Sequence, residues 1–104
     1  MSKNLNKRVY DYLLLIPKGK VVTYQQVAQY LGNKNLSRVV GNVLHVNPDP
    51  INYPCYKVVN SKGFLARNFG DGGIEKQKEK LMNDGIEVIE NRVDLTKYQW
   101  NDKK

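Results

Sequence analysis

Apolar residues recur at helical spacing near the start of the chain. Leu5, Val9, Leu13 and Ile16 share one face, with polar and charged residues between them. The spacing predicts an amphipathic helix over about residues 4–16. Pro17 ends it, and Pro17-Lys18-Gly19-Lys20 reads as a turn before a short extended piece at Val21-Val22. Thr23-Tyr24-Gln25-Gln26 has the form of a capping box, with a Thr hydroxyl at the N-cap and a Gln able to reach back to it. The helix it starts turns Val27, Ala28 and Leu31 inward and stops at Gly32. A polar turn, Asn33-Lys34-Asn35, leads to a third predicted helix over about residues 36–46. Its apolar positions are Leu36, Val39, Val40, Val43 and Leu44. Arg38, Asn42 and His45 lie on the opposite face, with Gly41 beside them.

The pattern then changes. Pro48, Pro50 and Pro54 stiffen the loop running into Cys55. Tyr56-Lys57-Val58-Val59 reads as a short strand and Asn60-Ser61-Lys62-Gly63 as a turn. Phe64-Leu65 reads as the returning strand of a small wing. Gly70, Gly72 and Gly73 mark a flexible loop, and residues 74–83 look helical, with Ile74, Leu81 and Met82 as apolar contacts. Asp84-Gly85 closes that helix, and Ile86, Val88 and Ile89 suggest another short strand. Val93 to Trp100 carries enough apolar surface to dock, with Trp100 as the anchor, while Lys103-Lys104 read as loose. The expected architecture is mainly α with a small β wing: a winged helix-turn-helix-like, three-helix domain. It would form one unit over residues 1–104, with a tail from about 90 docked or partly loose. Taken alone, two helices joined by a tight turn fit an ordinary αα-hairpin with a solvated face at least as well.

Charge and cysteine count narrow the function. The chain has 104 residues, enough for one domain, and 40% hydrophobic content, enough for a core. Seventeen Lys and Arg oppose ten Asp and Glu, a net +7 that favours a polyanionic partner over a merely solubilising surface. The longest apolar run, Leu13 to Ile16, is far too short to span a bilayer, and the N-terminus is polar and basic. A soluble, cytoplasmic protein is expected. One cysteine and one histidine exclude an intrachain disulfide and a multi-cysteine zinc site. Any chemistry at Cys55 is therefore thiol chemistry; the bland alternative is an inert buried cysteine.

Several segments now line up in order. They are Arg8-Val9-Tyr10, Ile16 to Tyr24 (IPKGKVVTY), Ser37-Arg38-Val39-Val40-Gly41, Asn47-Pro48, and Pro54-Cys55-Tyr56-Lys57-Val58. Together they resemble the DNA-binding, active-site domain of the O6-alkylguanine-DNA alkyltransferases and alkyltransferase-like proteins, from about Asn6 to Gly85. The resemblance implies duplex DNA carrying O6-alkylguanine as the partner, met as a monomer through the minor groove. Gly41 would let the backbone approach closely. Arg38 would be the finger that fills the stack when guanine is flipped out. Tyr24 would touch the phosphate or the flipped base. Asn42, His45 and Lys57 join the DNA-binding set. Asn47 would hold the turn that presents Cys55, the alkyl acceptor. No cofactor is implied, because DNA itself is the alkyl donor; excision-repair proteins are candidate partners.

The sequence departs from the family at one place. A histidine usually follows the cysteine, linked to a downstream glutamate; here Tyr56 follows, and Asp84 aligns with the glutamate. A tyrosine of ordinary pKa near 10 is a poor base at neutral pH. Lys57, where arginine is usual, would lower the thiol pKa electrostatically. Three functions stand in order: single-turnover alkyl transfer to Cys55, a lesion-binding sensor without chemistry, and an ordinary winged-helix regulator without lesion preference.

Overall fold

The computed structural model describes residues 2–49, 51–66 and 72–101, with side chains from residue 5 onward. Helix α1 spans Ser2–Leu15 and ends ahead of Pro17, as the residue before a proline is pushed out of the helical region. Val9, Tyr12, Leu13 and Ile16 are buried from this segment, each contributing about 1.5–3 kcal/mol of hydrophobic stabilisation. Tyr12 joins the expected stripe: its ring packs 4.6 Å from that of Tyr30 and 5.8 Å from Trp100.

The capping box forms as its residues require. The Gln26 N–H donates to Thr23 Oγ1 at 3.1 Å, and the Thr23 N–H donates to Gln26 Oε1 at 2.9 Å. It starts α2, Tyr24–Tyr30, which buries Val27 and Ala28. A 3-10 turn at Lys34–Leu36 leads into α3, Ser37–His45. Val40, Val43 and Leu44 face inward from α3, but Val39 is 36% exposed, against expectation. It sits one residue from the Val40–Val43–Leu44 stripe, a rotation of about 100° that turns it toward solvent.

The wing is where the structure corrects the sequence reading. Only Val58–Val59 forms a strand, β2, because Cys55–Lys57 is a 3-10 turn. Strand β2 pairs in parallel with β1, Val22–Thr23, in the register Val22 with Val58 and Thr23 with Val59. A parallel pair needs a long crossover, and α2 and α3 supply it. Phe64 and Leu65 do not return along β2; Phe64 makes an isolated bridge to Arg92. The antiparallel hairpin lies downstream, with β3, Val88–Ile89, against β4, Arg92–Val93. Glu90 and Asn91 turn it with φ of 53° and 61°, the double positive-φ geometry of a tight hairpin. This hairpin docks on the preceding turn: the Val93 N–H donates to the Gly63 carbonyl at 2.9 Å, and the Leu65 N–H donates to the Asn91 carbonyl at 3.0 Å. Gly63 has φ of +91°, and a Cβ there would collide with the Val93 carbonyl.

Helix α4, Gly73–Asn83, buries Gln77 and Leu81, while Met82 is 55% exposed rather than an apolar contact. Met82 follows Leu81 in sequence, about 100° round the helix, and so leaves the buried face. The short α5, Leu95–Tyr98, carries the tail back to β1. There the Val21 N–H donates to the Tyr98 carbonyl and the Trp100 N–H to the Val21 carbonyl. Trp100 thus docks, as expected from its apolar bulk. Gly70, Lys103 and Lys104, expected in a flexible loop and a loose end, lie outside the described residues. Two cores flank the β1–β2 pair: one holds α1, α2, α3, Cys55 and Val58, and the other holds Val21, Val59, Leu65, Leu81, Ile86 and Val93. No described helix is long and apolar enough to cross a membrane.

Candidate functional site

The outer face of α3 presents Arg38, Asn42 and His45 as exposed residues, with Gly41 half-buried between them. A Cβ built on Gly41 would meet nothing within 4 Å, so a broad ligand can approach this backbone. The apolar side of the same helix anchors it. Tyr10 reaches from α1 and donates from its hydroxyl to the Val43 carbonyl at 3.0 Å.

Cys55 sits at the start of its 3-10 turn, buried to 6% exposure and in no disulfide. Its N–H donates to the Tyr53 carbonyl at 2.7 Å. The same carbonyl accepts from Asn47 Nδ2 at 2.9 Å, while Asn47 Oδ1 accepts from the Asp49 N–H. Asn47 therefore closes the proline-rich loop onto the residue that aims Cys55. The Tyr53 ring stacks on Tyr10, with centroids 4.9 Å apart. Burial, then the charge of a Cys55 thiolate, raises the Tyr24 and Tyr10 hydroxyls above the usual tyrosine range. Both rings pack against the core cluster that holds Cys55.

The sequence puts Tyr56 and Asp84 where the family has its histidine and glutamate, and the structure shows what these residues and Lys57 do instead. Lys57, expected at the DNA surface, is buried. Its Nζ donates to the Ile16 and Pro17 carbonyls at 3.3 and 3.2 Å and lies 3.5 Å from Asp84 Oδ2. The reason is packing: Lys57 faces the end of α1, where two helix-terminal carbonyls need a donor. Asp84 Oδ2 also accepts from the Gly19 N–H at 2.9 Å. Its carboxylate is thus committed to Lys57 and Gly19. Burial, with the charge of Asp84 second, raises the Tyr56 hydroxyl, so it stays protonated at neutral pH and offers less phenolate than a free tyrosine.

A cleft of about 600 Å³ opens beside Tyr24, with Leu65, Ala66, Asn60, Glu90 and Asn91 among its walls. That volume falls in the ordinary range for a small-molecule site. Tyr24 lines this cleft and also packs against the core cluster that holds Cys55, which is not itself among the lining residues. Among the described residues, no group of three His, Cys, Asp or Glu side chains could hold a metal ion.

The sequence model of the 6-O-methylguanine DNA methyltransferase DNA-binding domain matches residues 4–86. The chain belongs to this family. Within the alkyltransferase family it is 33% identical to alkyltransferase-like protein 1 of Schizosaccharomyces pombe, covering 89% of this chain and 91% of that protein. It is 36% identical to a DNA base-flipping protein of Vibrio parahaemolyticus, covering 89% and 92%. It is 40% identical to a bifunctional methyltransferase/endonuclease of Picrophilus torridus, spanning 96% of this chain but only 33% of that relative. The fold matches S. pombe Atl1, solved in complex with damaged DNA containing O6-carboxymethylguanine, with a TM-score of 0.84, 30% identity and 95% and 96% coverage.

Sequence reasoning missed one residue that organises the family's cysteine segment in this chain. Gln77 is fully buried on α4. Its Nε2 donates to the Tyr56 and Val58 carbonyls at 3.0 and 3.2 Å, and its Oε1 accepts from the Ala66 N–H at 2.8 Å. The available signal was its place between Ile74 and Leu81 on the apolar face, where a polar residue must find partners.

Proposed function

We propose that the protein is a DNA-repair factor that binds duplex DNA, turns an O6-alkylated guanine into the cleft beside Tyr24, and accepts the alkyl group on Cys55. The carrying observation is that Cys55, fixed by the Asn47–Tyr53 turn, belongs to the core cluster against which Tyr24, a wall of the cleft, is packed. The surface suits the first step: a net charge of +7 draws the protein to phosphates, and the Gly41 backbone is open. Arg38, exposed on α3, has the planar cation needed to fill the gap left in the stack. The Tyr24 hydroxyl, held protonated, donates to the rotated base or its phosphate. In the transfer, the Cys55 sulfur forms a bond to the alkyl carbon as the bond from that carbon to O6 breaks. The electron pair remains on guanine, which takes up the proton released by the thiol. The thioether has no route back, so each protein acts once.

A second reading, a lesion sensor without transfer, is favoured by one observation: a protonated Tyr56 stands where the family has its histidine, and Asp84 is committed to Lys57 and Gly19. Mass spectrometry of the intact protein after incubation with duplex containing O6-methylguanine decides between them. A gain of one methyl group, abolished in Cys55→Ala, supports transfer. An unmodified protein that still binds this duplex more tightly than its guanine counterpart selects the sensor. Equal affinity for both duplexes overturns lesion recognition.

A further inference from the structure

Residues 87–101 lie beyond the segment that matches the family's DNA-binding domain, yet they build one wall of the cleft. The β3–β4 hairpin is fixed to the 62–65 turn by main-chain bonds from Val93 to Gly63 and from Leu65 to Asn91. A third bond runs from Arg92 Nε to the Lys62 carbonyl at 2.9 Å, with the Arg92 guanidinium 5.5 Å from the Phe64 ring centroid. The tip of this anchored hairpin, Glu90-Asn91, lines the cleft together with Tyr24 and Ala66. Glu90 is the one charged residue among the described residues that line the cleft. In a chain of net charge +7, the cleft wall carries this one carboxylate, while Arg92, whose guanidinium lies over Phe64, is not among the lining residues.

We infer that Glu90 is a specificity-determining residue, setting a preference for neutral or cationic O6 substituents over anionic ones. The inference rests on the cleft being where the altered base sits. A substituent on O6 projects from the base and samples the walls; a carboxylate on it meets the Glu90 carboxylate, whereas an ammonium is attracted. At a separation of about 7 Å in solvent-screened surroundings, one charge pair changes affinity roughly three- to tenfold, less at high salt. Like-charge repulsion of this kind discriminates without any contact to the preferred ligand.

The test compares Glu90 with Glu90→Gln, both in a Cys55→Ser background that keeps the adduct on the DNA. Dissociation constants are measured at low salt for duplexes bearing guanine, O6-methylguanine, O6-carboxymethylguanine and O6-(2-aminoethyl)guanine. The expected result is weaker binding of carboxymethyl than methyl by roughly three- to tenfold, and tighter binding of aminoethyl. Glu90→Gln should bind all four duplexes somewhat more tightly, because one negative charge near the phosphates is gone, while both differences shrink when each adduct is expressed as a ratio to the methyl duplex. Gln keeps the shape and the turn geometry, so thermal stability serves as the folding control. Adduct ratios that are the same in both proteins, or no charge discrimination in the parent, overturn the role of Glu90. Failure to prefer any adduct over guanine overturns the underlying reading instead.

Discussion

The exposed face of α3 and the segment from Pro54 to Val59 share one core but are held in opposite ways. Arg38, Asn42 and His45 stand on the solvent side of a helix anchored through its apolar face and the Tyr10 bond to the Val43 carbonyl. The cysteine segment is tied to four parts of the chain: to Asn47 through Tyr53, to α4 through Gln77, to the end of α1 through Lys57, and to β1 through β2. A surface that must trade water for phosphates needs polar groups that solvent already reaches. A reactive atom gains from having its position set before a ligand arrives, so that binding does not have to order it. The difference predicts that stability and recognition can be perturbed separately.

Gln77→Ala should have the largest effect. It strips partners from two carbonyls and one N–H in the interior and should cost about 3 kcal/mol of unfolding free energy. Urea denaturation measures this, and a loss below about 1 kcal/mol would mean the segment is not pinned as described. Alkaline pH should act next, and on the same side of the molecule. The Tyr10, Tyr24 and Tyr56 hydroxyls are raised in the folded state. Their contribution to stability is then fully present below the unfolded value of about 10 and is lost as pH rises through the folded values. Unfolding free energy should decline above about pH 10, and less steeply in Tyr24→Phe; an identical decline in that variant breaks the link. Arg38→Ala should be mildest for the fold, changing stability by no more than about 0.5 kcal/mol. It should nevertheless weaken binding to O6-methylguanine duplex about tenfold, more than to undamaged duplex, in a fluorescence titration. Equal losses on both duplexes would leave α3 as a general phosphate surface.

The helical half was legible because its information is local. The spacing of Val9, Leu13 and Ile16, the Thr23–Gln26 box and the stop at Gly32 each act within a few residues. The β pairing was not, because Val22 and Val58 recognise each other across 36 residues through two-residue strands that leave no periodic trace. The true hairpin was hidden for a related reason: its turn uses Glu90 and Asn91 where a glycine would have announced positive φ. The cysteine and its Asn47 support were readable as a motif. The fate of Lys57 and Asp84 was not, since nothing in either residue type says that the carbonyls of Ile16 and Pro17 will be waiting beside them.

Gly63 has a consequence for the width of the opening above Tyr24. With only hydrogen on that α-carbon, β4 settles at main-chain bonding distance from the 62–65 turn. Any larger group would act as a shim and push the Glu90-Asn91 tip outward. The gauge of the slot is set by a missing methyl twenty-seven residues before the tip it positions.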